Sequence, residues 1–200
     1  MSGEKQRIPL AEAESIAREL VGVLGQSCDR IQVAGSIRRR SPTVGDIEIV
    51  CAPKFVQRAD GLFGDQFSLE DLCHEWCDGC LADGTFAKRL DTNGRPAWGR
   101  KHKRALFEGV PVDLFSVIEP AQWGVILAIR TGPAEFSHRL VTPRRQGGLL
   151  PDWLKVRDGA IWHGDHPLAT PEEQDVFAVI GLDWIPPERR TGTERAAVAS

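Results

Sequence analysis

The stretch GSIRRRSPTVGDIEIV, residues 35–50, contains the pattern from which the fold is predicted. Its last five residues alternate acidic and aliphatic side chains, which is typical of a half-buried β-strand. Asp46 and Glu48 then share one face, about 6.5–7 Å apart along the strand, while Ile47 and Ile49 face the core. Such alternation also occurs on ordinary solvated strand faces, so these two carboxylates alone do not define a site.

A candidate phosphate-binding turn lies just before this strand. Gly35 permits a tight turn and close backbone approach. If a helix begins at Ser36, its free N–H groups favour an anion, and the Ser36 hydroxyl and the Arg39 guanidinium can both donate to phosphate oxygens. The stretch therefore predicts a polyphosphate cradle beside two carboxylates. A solvated basic turn at residues 38–40 is the plainer alternative.

A third acid lies on another predicted strand. Residues 110–117 are mostly apolar, with Asp113 as their only acid. If this strand neighbours the first one, Asp113 joins Asp46 and Glu48, and three converging carboxylates repel one another unless cations lie among them. Carboxylate oxygens suit Mg²⁺ or Mn²⁺. A pair of such ions about 3.5–4 Å apart is the usual arrangement for phosphoryl transfer.

Helical periodicity predicts most of the remaining elements. Apolar side chains recur at helical spacing over residues 9–24 and 68–81. Further helices are predicted at 122–130, 134–141 and 171–180, and an Asp-Gly turn predicts a hairpin over 156–161.

Five short motifs along the chain, in their order, resemble those of the family X DNA polymerases, the DNA polymerase beta group. The Gly35-Ser36 turn and the strand with Asp46 and Glu48 resemble the nucleotidyltransferase signature. The similarity as a whole runs from Ile8 to Arg190. The motifs are GSIRR at 35–39, GDIE at 45–48, VDL at 112–114, TG at 131–132 and GLDWIPPERR at 181–190.

The resemblance implies an α+β fold. It predicts a nucleotidyltransferase palm, with a mixed β-sheet backed by helices, over residues 1–120. A small C-terminal α/β thumb subdomain that closes on the nucleotide is expected at 121–190, followed by a flexible tail at 191–200. The family's lyase domain and helix-hairpin-helix clamp are expected to be missing, as in small viral members.

The resemblance also implies roles for individual residues. Asp46, Glu48 and Asp113 are expected to be catalytic and to bind two Mg²⁺ ions, with Mn²⁺ as a plausible substitute. Ile129 and Arg130 stand where the family usually has two aromatic residues beside the sugar. The predicted nucleotide-binding residues are Gly35, Ser36, Arg39, Gly45, Ile129, Arg130, Gly132 and Ser137.

Nucleic-acid binding must depend on local charge, because the net charge of −3 disfavours binding through bulk charge. The segment KRLDTNGRPAWGRKHKR, residues 88–104, carries seven Lys or Arg against one Asp. It predicts a hairpin that tracks phosphates, and a solvated loop is the alternative. The predicted DNA contacts are Arg100, Lys101, Lys103, Arg104 and Arg139.

The predicted function is that of a DNA-directed DNA polymerase that fills short gaps during DNA repair. Its partners would be a nucleoside triphosphate and primer-template or gapped DNA. One alternative is a nucleotidyltransferase that works without a template or on an RNA end, a protein or a small molecule. The other is a DNA-binding module without catalysis. The three acids argue against the second alternative.

The sequence carries no membrane or export signal, because no apolar run reaches the roughly 20 residues that span a bilayer. Five cysteines, an odd number, follow no regular disulfide framework. We therefore expect a cytoplasmic monomer (in the host cytoplasm if viral) without a membrane partner.

The segment CHEWCDGC, residues 73–80, suggests a zinc site at first sight. Its cysteines share the apolar stripe of the predicted helix 68–81. The offset of seven residues between Cys73 and Cys80 spans about 10 Å along a helix, too far for easy shared coordination at about 2.3 Å. These cysteines are therefore predicted to be small buried side chains.

Overall fold

A mixed five-stranded β-sheet forms the centre of the computed structural model, which describes residues 7–60, 66–91 and 93–194. The strands are β1 (Ile8–Pro9), β2 (Cys28–Val33), β3 (Thr43–Val44), β4 (Ile47–Pro53), β5 (Phe55–Asp60), β6 (Gln66–Asp71), β7 (Phe86–Lys88), β8 (His102–Phe107), β9 (Val110–Ser116), β10 (Leu154–Arg157), β11 (Ala160–His163) and β12 (His166–Pro167). The central sheet has the order β2-β4-β9-β8-β7. Only β4 and β9 run parallel in it, so the sheet is mixed as predicted.

The helix that begins at Leu10 and the helix that begins at Leu72 cover the back of this sheet. The helices are α1 (Leu10–Leu24), α2 (Gly35–Arg38), α3 (Leu72–Ala82), α4 (Trp123–Thr131), α5 (Ala134–Val141) and α6 (Glu173–Ile180). α1 buries its apolar stripe in the same core as the buried cysteines of α3. Ile47, Ile49 and Cys51 of β4 belong to this core, whereas Val50 belongs to a different cluster. The predicted alternation along β4 is therefore confirmed, and Glu48 faces the front of the sheet.

The C-terminal part has a core of its own. α4, α5 and α6 enclose buried residues that include Phe136, Leu140 and Phe177, together with Ile161 of β11. β10, β11 and β12 form a small antiparallel sheet, and the pairing of Arg157 with Ala160 confirms the predicted hairpin. α4 also packs on the front of the central sheet through Trp123 and Leu127. Because of this packing, α4 lies beside the strand ends that carry the acids.

Most predicted helices are confirmed, but the predicted helix at 68–81 is wrong at its start. Residues 66–71 form β6, which pairs with β5, and Leu69 is 59% exposed. Asp71 ends the strand and caps α3, because its carboxylate accepts a hydrogen bond from the His74 backbone N–H at 2.9 Å. The helix predicted from 171 likewise begins at Glu173, since Glu172 is its N-cap.

The described part of the predicted C-terminal tail is held against α5. Arg139 donates a hydrogen bond to the Glu194 carbonyl at 2.7 Å and another to the Gly192 carbonyl. Residues 195–200 of that tail lie outside the described residues. Among the helices that the structure describes, none has both the length and the apolar character needed to cross a bilayer.

Candidate active site

The three predicted acids converge on the front of the central sheet. Glu48 and Asp113 are register partners on the parallel strands β4 and β9. Asp46 lies just before β4, and its carboxylate is near enough to raise the pKa of Glu48. The fold thus brings together carboxylates that are more than sixty positions apart in the sequence.

The pKa of Glu48 reflects this convergence. Burial, and after it the nearby Asp46 carboxylate, raise the pKa of Glu48 to about 7. Asp113 acts in the same direction, while Arg130 and Arg39 lower the pKa only in part. The negative charge of ionised Glu48 is therefore only partly balanced by nearby positive charge. A divalent cation beside it supplies the missing positive charge.

Asp113 is held by three basic side chains. It is 5% exposed, and its Oδ2 accepts a hydrogen bond from Arg89 at 2.5 Å. Its Oδ1 contacts His102 Nε2 at 3.0 Å and Arg104 Nε at 3.1 Å. Burial raises the pKa of Asp113, but these basic partners outweigh burial and hold the pKa below its usual value. The sequence did not predict the contacts of Arg89 and His102 with Asp113. His102 comes near Asp113 because β8 pairs with β9.

The oxygen atoms of the three carboxylates are not all within 4.8 Å of one another. Among the described residues, the one trio of potential metal-binding side chains with ligand atoms within 4.8 Å of one another consists of cysteines. Both oxygens of Asp113 face Arg89, His102 and Arg104, so a shared cation requires Asp113 to exchange these partners. The donor set itself, three carboxylates on one face, has the chemistry that Mg²⁺ and Mn²⁺ prefer.

The Gly35-Ser36 turn lies directly against Glu48. Gly35 has φ +62°, and a Cβ at this position would collide with the Glu48 carboxylate. The Ala34 N–H also donates to the Glu48 carbonyl at 2.8 Å. Ser36 is half-buried at the same turn, and Gly45 is buried next to Asp46. The predicted cradle and the predicted metal acids therefore adjoin each other.

Arg38 and Arg39 have different environments. Arg39 Nη1 donates to the Thr131 carbonyl at 2.7 Å and to the Gly132 carbonyl at 3.2 Å. Burial lowers the pKa of Arg39, whereas Glu48 and Asp46 raise it. Arg39 thus lies between the acids and the Thr131-Gly132 turn. Arg38 instead points to a buried carboxylate, Glu173.

Glu173 forms a buried network that sequence reasoning missed. It accepts a bidentate contact from Arg38 at 2.9 and 3.0 Å and a hydrogen bond from Arg190 at 2.7 Å. Trp184 Nε1 donates to the same carboxylate at 3.0 Å. Burial raises the pKa of Glu173, but the bonds from Arg190 and Arg38 more than offset burial and hold the pKa at about 2. This Glu173 network ties α2 to α6 and to the segment after α6.

The DNA polymerase beta thumb model matches residues 127–191. The match begins in α4 and ends just after Arg190, so it contains the Thr131-Gly132 turn and most of the Glu173 network. It supports a relationship to the family X polymerases. It covers less than half of the chain, and the central sheet lies outside it. No curated protein matches the chain.

Within the thumb match, the predicted nucleotide-binding residues surround the turn after α4. Arg130 stacks on Phe115 with its guanidinium carbon 3.8 Å from the ring centroid. Burial lowers the pKa of Arg130, while Glu48 and Asp113 raise it, which places its charge near the acids. Ser137 Oγ donates to the Ile129 carbonyl at 2.5 Å, so this hydroxyl stabilises the turn. Gly132 has no room for a Cβ, which would collide with Phe136.

The five predicted DNA contacts differ in their exposure and in the partners that they contact. Arg100 is exposed, and Lys101 is 75% exposed with Nζ 3.6 Å from the Asp158 carboxylate. Lys103 is only 3% exposed and belongs to the core side of β8, so the expectation that it contacts phosphate is wrong. Arg104 contacts Asp113, and Arg139 is engaged with the C-terminal segment. Arg100 and Lys101 remain as candidate phosphate contacts.

Proposed function

We propose that this chain is a nucleotidyltransferase of the family X type. It would transfer a nucleoside monophosphate from a deoxynucleoside triphosphate to a primer 3′-hydroxyl, filling short gaps during DNA repair. The observation that carries this proposal is the register pairing of Glu48 with Asp113 beside the Gly35-Ser36 turn. Residues 1–120 would act as the palm and 121–190 as the thumb.

The residues divide into three proposed roles. Asp46, Glu48 and Asp113 would hold two Mg²⁺ ions, or Mn²⁺, after Asp113 leaves its basic partners. When bound, these ions would neutralise charge on the phosphates and activate the attacking hydroxyl. Ser36, Arg39 and the Gly45 backbone would hold the triphosphate. Ile129, Arg130 and the 131–137 segment would lie along the sugar and base.

One alternative differs from the proposed function in its acceptor, and the other lacks catalysis. A transferase that works without a template, or on RNA ends, proteins or small molecules, would use the same acids and differ only in the acceptor groove. The exposed Arg100 and Lys101 favour a nucleic-acid acceptor. A non-catalytic DNA-binding module has no need for a Glu48 whose pKa is raised to about 7 beside two further acids.

A gap-filling assay tests the proposal. The full chain is supplied with a one-nucleotide-gapped duplex, Mg²⁺ and each triphosphate singly. We expect templated addition by the wild type and none by Asp113→Asn, while Asp165→Asn, on an exposed turn, keeps wild-type activity. Untemplated addition would instead favour terminal transfer. Equal turnover by the Asp113 variant would refute the two-metal assignment.

A second variant tests the phosphate contact. Arg39→Ala should lose about 1.5–3 kcal/mol of charge-assisted hydrogen bonding, or roughly ten- to a hundredfold in kcat/KM for the nucleotide. Steady-state kinetics at varied triphosphate concentration measure this loss. Arg40→Ala is the matched control, because Arg40 is exposed and its guanidinium lies 3.6 Å from Glu14 on α1.

A further inference from the structure

Three cysteines from three different elements meet behind the central sheet. Cys28 begins β2, Cys51 lies in β4 and Cys73 is in the first turn of α3. They are 4%, 0% and 0% exposed, and their Sγ atoms all lie within 4.8 Å of one another. The Cys51 and Cys73 sulfurs are 3.7 Å apart. The fold therefore concentrates soft donor atoms at one buried point, on the face opposite to the acids.

The spacing of these sulfurs fits metal coordination better than it fits a disulfide. Four thiolates at about 2.3 Å from a zinc ion lie about 3.8 Å apart along each edge of the tetrahedron. The distance of 3.7 Å between the Cys51 and Cys73 sulfurs is close to that edge. A disulfide requires about 2.05 Å between sulfurs, so these two side chains would have to move substantially to form one.

A fourth thiol is available from the same helix. Cys77 follows Cys73 by four residues, so it lies one helical turn further on the same face. It is 0% exposed and lies outside the trio of sulfurs within 4.8 Å of one another, so its side chain must turn toward them to coordinate the metal. Cys80, which is also outside the trio, is seven residues from Cys73 and about 10 Å further along the helix axis. The sequence motif 73–80 thus supplies two ligands, and the fold supplies two more from β2 and β4.

The surroundings supply a compensating positive charge. Lys103 is 3% exposed on the core side of β8, and its Nζ donates to the Gly99 carbonyl at 3.2 Å. It lines the same small core cavity as Cys77. A buried ammonium is costly unless a negative group offsets it. A zinc-thiolate centre is such a group, and it explains why a lysine occupies this core position.

We propose that Cys28, Cys51, Cys73 and Cys77 form a structural zinc site that fastens α3 to the back of the central sheet. Binding takes one Zn²⁺ and four thiols, forms four zinc–sulfur bonds and releases four protons to solvent. The product carries two negative charges, one of which Lys103 offsets. No electron is transferred. The site is independent of the acids on the front face.

Metal analysis of the purified full chain tests the proposal. The reduced protein is freed of metal with a chelator, supplied with Zn²⁺ and desalted. We expect about one zinc per chain and a higher Tm than that of the metal-free protein. Co²⁺ in place of Zn²⁺ should give the intense thiolate-to-cobalt absorption and visible bands of a tetrahedral sulfur site. A wild-type chain that keeps no zinc and shows no thiolate-cobalt band would overturn the proposal.

Variants locate the metal. Cys77→Ser should lower the affinity for zinc at least about tenfold and weaken the cobalt bands. Cys80→Ser, at the end of the same helix, should leave the zinc content and the spectrum unchanged. Because a Cys→Ser change can impair folding, circular dichroism of each variant is recorded alongside. Glu48→Gln should retain one zinc per chain and the thiolate-cobalt bands, and loss of the bound zinc in this variant would place the metal at the acids and contradict the assignment.

Discussion

At position 35, the backbone turns with φ +62° directly against the Glu48 carboxylate. Two separate physical constraints therefore act on one residue. The left-handed conformation disfavours any side chain, and the space in which a Cβ would lie is filled by a carboxylate. A sequence pattern can suggest the first constraint, but only the fold reveals the second.

Gly35→Ala should consequently lose activity and stability together. We expect a loss of about 1–3 kcal/mol in the free energy of unfolding, because alanine must adopt a strained backbone and displace Glu48. Gly79→Ala is the matched control, since Gly79 lies exposed in α3 with open space around it. That change should stabilise the protein by up to about 1 kcal/mol. Urea denaturation measures both, and equal effects in the two variants would contradict the argument.

Glu48 gives a pH-dependent prediction for the metal-free protein. Its folded-state pKa of about 7 exceeds the ordinary glutamate value of 4.5, so the folded state holds the proton more tightly than the unfolded state does. This contribution to stability is complete below about pH 4.5 and is lost as the pH rises through 7. Each unit of pKa difference corresponds to about 1.4 kcal/mol.

Glu48→Gln should remove that dependence. With a chelator present, the wild-type free energy of unfolding should fall between pH 5 and pH 8 relative to that of the variant. Urea denaturation at each pH gives the difference between the two proteins, in which the other titrating groups cancel. Parallel curves would mean that Glu48 has an ordinary pKa. Adding Mg²⁺ or Mn²⁺ should reverse the wild-type loss at pH 8, because the cation replaces the proton.

At the scale of elements, the Glu173 network joins α2, α4 and α6. Arg38 contacts Glu173 and also donates to Thr131 Oγ1 at 2.7 Å, so this arginine is part of the packing of α2 against α4 and α6. Arg190 completes the network and is 4% exposed. Removing the carboxylate would leave two arginines largely buried without their acidic partner.

Glu173→Gln should therefore cost about 3–5 kcal/mol in the free energy of unfolding, as for other broken buried ion pairs. The pKa of Glu173 is held at about 2, below the ordinary glutamate value of 4.5, so its contribution to stability is complete above about pH 4.5 and is lost as the pH falls toward 2. Glu188→Gln, an exposed change nearby, should stay within about 0.5 kcal/mol. Thermal and urea denaturation at pH 7 compare them, and a small loss in Glu173→Gln would show that the arginines find other partners.

Periodicity predicted the elements that have one buried face and one exposed face. α1 and α5 are of this kind, and so is the alternating part of β4, whereas α4 has no exposed face and packs on two clusters. The start of α3 was missed because the apolar Leu69, which completes a helical stripe, is an exposed strand residue. Partners brought together by strand register were also missed. Arg104 pairs with Asp113 only because β8 and β9 are neighbours, and the residues between 88 and 104 carry no signal of that register.

At the scale of the whole molecule, the net charge of −3 makes the position of each basic side chain important. Lys101 lies beside a cleft of about 290 Å³ between the central sheet and the thumb, whose walls include Phe115, Arg130 and the β10–β11 turn. Its ammonium is 3.6 Å from Asp158 on that turn, so the two parts of the molecule meet through an exposed ion pair. A phosphate that enters the cleft can replace Asp158 as the partner of Lys101.

Lys101→Ala should therefore weaken DNA binding about equally for all sequences, because a phosphate contact carries no base information. One lost contact should reduce the slope of log affinity against log salt by about 0.9 for a duplex. Fluorescence anisotropy of gapped DNA over a range of salt concentrations measures that slope. Arg18→Ala removes the same charge from an exposed position on α1, behind the sheet. If both variants lose affinity equally, then net charge governs binding; if only Lys101→Ala does, then DNA lies along the cleft that Lys101 lines.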